Sequence, residues 1–249
     1  MAIIAKSAAR TAAVLDYFQH HRRPARSVDI ARALGLAPSS TSDLLETLVE
    51  VGFLDFFPAD KTYMPSLRLA FQTHWMSDGQ RLASRLETVM DELRQATGAS
   101  VVLSALRDAR LQFLNVLGGE HDPPPEVAGG QYAPVFGTAA GGAMLMAIPD
   151  SKITSLVRRV TRLRPGRALA SKIRGTLDEA SALRRRGFAH VRRSTFLPEV
   201  WAVAVPLNVR STSPLALGVG GPGVLEEAEV ADLVKLIACK VDIHLSRAV

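Results

Sequence analysis

Two short amphipathic runs separated by a glycine turn constrain this chain more than any other feature. SVDIARALGL carries Val28, Ile30, Ala31 and Leu34 at helical spacing, and PSSTSDLLETLVEVG carries Leu44, Leu45, Leu48 and Val51. Ser27 is placed to cap the first run and Gly35 to supply a left-handed stop. Pro38 opens the second run at a position that needs no N–H, and Gly52 closes it. An earlier helix, capped at Ser7 and running to about His20, lines up Ala8, Thr11, Val14, Leu15 and Phe18 before Pro24 breaks the chain. After Gly52, FLDFF, PADK and TYMP read as a hairpin with Lys61 near its tip. Together these signals predict a winged helix-turn-helix over residues 1–75.

The head of the third helix is unusual for a purely structural element, because Ser39, Ser40, Thr41, Ser42 and Asp43 follow one another. Small hydroxyl side chains beside unbonded helix N–H groups suit close approach to phosphates and base edges. These five residues are therefore expected to meet double-stranded DNA, with Arg26, Ser27 and Lys61 as phosphate contacts. Bulk charge does not single this segment out. The chain carries +6 overall, yet residues 1–75 hold eight Lys/Arg against seven Asp/Glu. Residues 151–193 hold thirteen against Asp178 and Glu179 alone. That stretch reads as a solvated arginine face or as an auxiliary anion surface.

Beyond residue 75, a linker segment (76–98) carries Leu82, Leu86, Val89, Met90 and Leu93 on one stripe, which reads as a dimer element or as packing on its own domain. SVVLSAL and LQFLNVL flank RDAR as a hairpin, and GGEHDPPPEVAGG follows as a mobile connection. GTAAGGAMLMAI reads as a helix of small residues, and the segment from 150 to Gly187 as helices with turns. FAHVRR, VWAVAVPLNV and PLALGVG read as strands, and a final helix runs from Glu226 to about Arg247. Antiparallel strands bracketed by helices predict an α+β sensor domain over residues 99–249. Hydrophobic residues at 47% supply its core, and no apolar run reaches membrane-span length, so a cytoplasmic protein is expected.

In order along the chain, DIARALGLAPSSTSDLLETLVEVGFL, APVFGTAAGGAML, RGFAH, EVWAVAVPL and LALGVGGP resemble the IclR family of bacterial regulators. The resemblance spans nearly the whole chain. It implies a winged helix-turn-helix joined to a GAF-like effector domain, assembly as a homodimer or homotetramer, and control of catabolic operons by small organic acids. It also implies a backbone-supporting role for Arg10, and effector contacts from Ala139, Ala140, Arg192 or Arg193, Ala202, Gly218 and Gly220. Departures from the family pattern are Asp43, where relatives commonly carry arginine, and Gly218 and Gly220, where they carry serines. Relatives also often have an acidic residue near Arg192 and a lysine at Gly142. Losing two hydroxyls removes donors for a compact carboxylate and opens volume. The expected ligand is therefore bulkier and more apolar than a two- or three-carbon keto acid, an aromatic or acyl-type acid, its anionic end paired near Arg192. Phe136, Phe196 and Trp201 lie in flanking segments, with Trp201 out of phase with Ala202.

Catalytic readings find little to work with. GVGGPG at Gly218–Gly223 matches a dinucleotide fingerprint, but only one helix follows it, so no second parallel strand can complete the unit. Six scattered histidines lack metal spacing, and the single Cys239 sits on an amphipathic helix as a packed thiol. No catalytic residue, metal or cofactor is expected. The competing reading is a metabolite-binding protein or enzyme whose N-terminal module serves assembly rather than DNA binding.

Overall fold

The computed structural model describes residues 5–73, 77–161, 163–209 and 211–245. The end of the final predicted helix, Ser246–Arg247, and the linker's Met76 lie outside them. The chain separates into two compact units, residues 1–81 and 82–249, and the boundary falls inside one helix.

In the first unit, α1 (Lys6–His21), α2 (Ser27–Leu34) and α3 (Pro38–Glu50) enclose Val14, Tyr17, Phe18, Ile30, Leu45 and Leu48. A three-stranded sheet closes the core in the order β1 (Ala25–Arg26), β3 (Thr62–Pro65), β2 (Leu54–Phe57). Helix α4 (Leu67–Thr73) follows it. Gly35 takes φ +62° at the end of α2, as a left-handed stop requires, and Pro38 opens α3. Several expectations fail at the caps and on the helix faces. Ala5 and Arg26, not Ser7 and Ser27, precede α1 and α2, without a side-chain cap. Val28, in the first turn of α2, and Val51, the residue that ends α3, stay 49% and 44% exposed.

The second unit is built on a six-stranded antiparallel sheet. Its strands are β4 (Ser100–Arg107), β5 (Arg110–Leu117), β6 (Tyr132–Pro134), β7 (Ala189–Val191), β8 (Val200–Leu207) and β9 (Leu215–Pro222), in the order β6-β5-β4-β9-β8-β7. Alternation along the strands serves two cores. Val101, Leu103, Ala105, Val203, Leu217 and Val219 face α5 (Ser77–Thr97) and α9 (Glu227–Leu245). The opposite face packs against α6 (Ala139–Ala147), α7 (Asp150–Val160) and α8 (Arg167–Arg186). Strand β6 was not anticipated from the sequence.

The linker stripe is committed to the first of these cores. Leu86, Val89, Met90 and Leu93 are 0–4% exposed among the strands and α9, so the stripe is not free to pair with a second copy. The arginine run near Gly187 is likewise partly structural. Arg184 donates to the carbonyls of Ile148 at 2.6 Å, Met146 at 3.3 Å and Leu145 at 3.4 Å, and to Asp150 at 2.7 Å. It thereby closes the C-terminal end of α6, where carbonyls lack helical partners.

Candidate effector cavity and DNA-contact surface

The face of the sheet turned toward α6 is paved with small residues. Gly218 lies between Val102 and Ala204, and Gly220 between Ser100 and Ala202. Side chains that elsewhere fill the space between sheet and helix are missing here, and a cavity of about 330 Å³ remains. The glycines differ in kind. A Cβ on Gly218 would sit 3.7 Å from its nearest neighbour, whereas one on Gly220 would come within 2.8 Å of the Trp201 carbonyl oxygen. Gly218 leaves room, and Gly220 permits close backbone approach.

The first turn of α6 opens on the cavity through Ala139 and Ala140. Thr138 caps the helix: its hydroxyl accepts from the Gly141 N–H at 3.1 Å. The N–H groups of Ala139 and Ala140 have no carbonyl within the helix to bond. Helix and preceding loop lie so close that a Cβ on Gly141 would fall 1.6 Å from the Val135 oxygen. The Gly/Pro loop roofs the cavity with His121, Pro123 and Val127. Backbone bonds tie it down at Gly119 N to Ser100 Oγ, Glu120 N to Gly98 O and Gly130 N to Phe113 O.

Of the expected effector contacts, Ala139, Ala140, Ala202, Gly218 and Gly220 all line this cavity. Arg192 and Arg193 do not. They follow the last residue of β7, both are exposed, and Arg192 pairs with Glu227 at 3.3 Å. The anion partner expected there is therefore withdrawn. No arginine or lysine occurs among the described residues of the lining, and Asp122 and Glu199 stand in it, both exposed. Phe196 joins the wall, Phe136 packs in the core beside α6, and Trp201 faces the α9 side as its phase demanded. Phe113 and Ser104 were missed. Both point to the α6 side by strand alternation, a signal already present once β4 and β5 are placed.

In the first unit, Ser39 and Asp43 are exposed on α3, and Ser40 and Ser42 are half-buried. Thr41 is the exception within the run. It is 0% exposed, and its hydroxyl donates to the Ala37 carbonyl at 3.0 Å. Its position four residues before Leu45 puts it on the buried stripe, so it leaves the DNA-contact set. Arg26 is exposed and pairs through β1 with Thr62, next to the wing residue Lys61, which takes φ +52°. The fold thus brings Arg26 and Lys61 to one end of the small sheet, with Ser27 half-buried at the start of α2. Arg10 is exposed on α1.

Residues 7–56 match the IclR helix-turn-helix domain, and residues 75–243 match the C-terminal domain of the bacterial transcriptional regulator IclR. The chain belongs to the IclR family. It is accordingly a DNA-binding transcriptional regulator with an effector domain. The HTH-type transcriptional regulator XynR of Escherichia coli (strain K12) is 23% identical over 188 residues, covering 75% of this chain and 74% of that protein. An IclR homologue from Microbacterium hydrocarbonoxydans, solved in complex with 4-hydroxybenzoate, superposes with a TM-score of 0.60 at 19% identity. That match covers 97% of this chain and all of the other. The Thermotoga maritima IclR gives 0.60 at 17% identity, over 94% of this chain and 95% of that one. At such identities these structures show the fold alone. The antiparallel pairing of β9 on both sides also removes the dinucleotide reading of GVGGPG.

Proposed function

We propose that this IclR-family chain is a cytoplasmic, ligand-responsive regulator of a catabolic operon whose effector is a small, largely apolar organic acid of aromatic or acyl type. The carrying observation is the 330 Å³ cavity, floored by Gly218, Gly220, Ala202 and Ala204 and walled by Phe113 and Phe196. A two-carbon acid would leave most of that apolar space unfilled, and burial of apolar surface is what such a wall rewards. The carboxylate is assigned to the first turn of α6. There the Ala139 and Ala140 N–H groups and the helix dipole favour an anion, in place of the arginines that face outward. A relative solved with 4-hydroxybenzoate supports the aromatic class. The roles proposed for Ser39, Ser40, Ser42, Asp43, Arg26, Ser27, Lys61 and Arg10 rest on their exposure or half-burial around α3 and the wing. Assembly as a homodimer or homotetramer is proposed through the first unit, where Leu67 and Phe71, one turn apart on α4, are 70% and 72% exposed.

Thermal shift of the full chain with glyoxylate, pyruvate, benzoate and octanoate tests the effector class. Benzoate or octanoate should raise the melting temperature, since ligand at a hundred times its Kd adds about 2.7 kcal/mol to stability. Stabilisation by glyoxylate and pyruvate alone would reject the roomy-cavity reading. Gly218→Ser should weaken the larger acid by occupying open space, while leaving DNA affinity in the absence of ligand unchanged.

A further inference from the structure

Four hydroxyl side chains line the cavity, and three of them are already engaged. Ser100 Oγ accepts from the Gly119 N–H, Thr138 Oγ1 donates to the Pro134 carbonyl, and Ser194 Oγ donates to the Gly137 carbonyl. Ser104 is different. It is 0% exposed, and its Oγ has no hydrogen-bond partner. Strand pairing sets it opposite Phe113 on β5 and Ala216 on β9, four residues further along β4 than Ser100. Diagonal to Ser104 stands Gly218, where an added Cβ would find nothing nearer than 3.7 Å. A hydroxyl buried among Val102, Leu111 and Phe113 without a partner carries a desolvation cost that a ligand group can relieve.

We infer that Ser104, on the sheet side of the cavity, selects the effector by bonding a second polar group. The ligand class is then an acid whose apolar body also carries a hydroxyl or carbonyl away from its carboxylate. A hydroxylated aromatic acid has this form. The inference rests on the effector reading of the cavity proposed above, and it adds a residue and a chemical group to that reading. The serine hydroxyl both donates and accepts, so either a ligand hydroxyl or a ligand carbonyl completes it. A methyl group in the same place would leave Ser104 unpaired and so be rejected.

The test uses the full chain and four probes: benzoate, 4-methylbenzoate, 3-hydroxybenzoate and 4-hydroxybenzoate, titrated by calorimetry against the unmodified protein and Ser104→Ala. At least one hydroxybenzoate should bind the unmodified protein about tenfold tighter than 4-methylbenzoate. Ser104→Ala should bring that ratio close to one, with benzoate affinity unchanged. The ligand-free variant should also melt at a higher temperature, because it loses an unsatisfied buried hydroxyl. A purely structural serine would give the opposite shift. Equal affinity of the unmodified protein for the hydroxylated and methylated probes would overturn the inference. So would an equal loss for benzoate and hydroxybenzoate in the variant, which would place the carboxylate at Ser104. Failure of all four probes to bind would instead reject the aromatic-acid reading itself, and this assignment with it.

Discussion

At the residue scale, similar residues in this chain do opposite things, and environment decides which. Gly141 and Gly218 are both glycines of the second unit, but a Cβ on Gly141 would strike the Val135 oxygen at 1.6 Å while one on Gly218 meets nothing nearer than 3.7 Å. Gly141→Ala should therefore destabilise the protein by roughly 1–3 kcal/mol through overpacking, and Gly218→Ala by less than about 0.5 kcal/mol. Urea denaturation of both variants checks this, and equal midpoints would contradict it. Ser40 and Thr41 make a second such pair. Introducing glutamate at Ser40 should abolish operator binding with the circular dichroism spectrum intact, by setting a carboxylate against phosphate. Thr41→Glu should instead unfold the first unit, because the site is 0% exposed and lies over Leu45. A run of five polar residues reads as one surface until helical phase is applied to each member. The spacing of 41, 45 and 48 already carried the signal, and the composition of the run hid it.

At the element scale, the helix-turn-helix and most of the strands were legible, because short-range periodicity and turn chemistry fix them. Gly35, Pro38 and the alternation of VWAVAVPL each act within a few residues. The cavity was legible only as far as strand alternation reaches: Gly218, Gly220 and Ala202 share a face by phase. Arg192 and Arg193 were misread because β7 ends at Val191, and strand ends depend on tertiary pairing. The roofing role of the 119–127 loop had no local signal at all. Long-range pairs were also invisible. Glu92 on α5 lies 2.8 Å from Lys240 and 3.1 Å from His244 on α9, joining two helices distant in sequence. Hydrogen bonds from Lys240 and then His244 hold the Glu92 carboxyl below its ordinary value near 4.5. A lowered carboxylate value stabilises the folded state above the unfolded pKa, and the contribution is lost as pH falls through the folded one. The unmodified protein should therefore lose more thermal stability than Glu92→Gln between about pH 5 and pH 3. Parallel melting curves for the two proteins across that range would show that the α5–α9 pairing is not sensed by folding.

At the scale of the whole molecule, two hydrophobic clusters belong to the second unit and one to the first, and α5 carries the chain from one unit to the other. The proposed division of labour fits this arrangement: the helix-turn-helix segment has its own core, and the cavity proposed for the effector lies in the second unit between sheet and α6. The boundary inside α5 makes the position of a truncation decisive. Leu86, Val89, Met90 and Leu93 are 0–4% exposed against the sheet and α9, so they are part of the second unit's core rather than a detachable link. A fragment beginning at Gly79 keeps all four and should fold, unfold cooperatively and retain its affinity for benzoate or octanoate. A fragment beginning at Ala99 exposes the apolar face left by four buried side chains, each worth about 1.5–3 kcal/mol on burial. That sum is comparable to the whole stability of a domain, about 5–15 kcal/mol, so the shorter fragment should be largely unfolded or aggregated. Thermal unfolding followed by circular dichroism, with size-exclusion chromatography, separates the outcomes. A well-folded fragment from Ala99 would return α5 to the role of an independent linker, and its apolar stripe would again be available to a second copy of the chain.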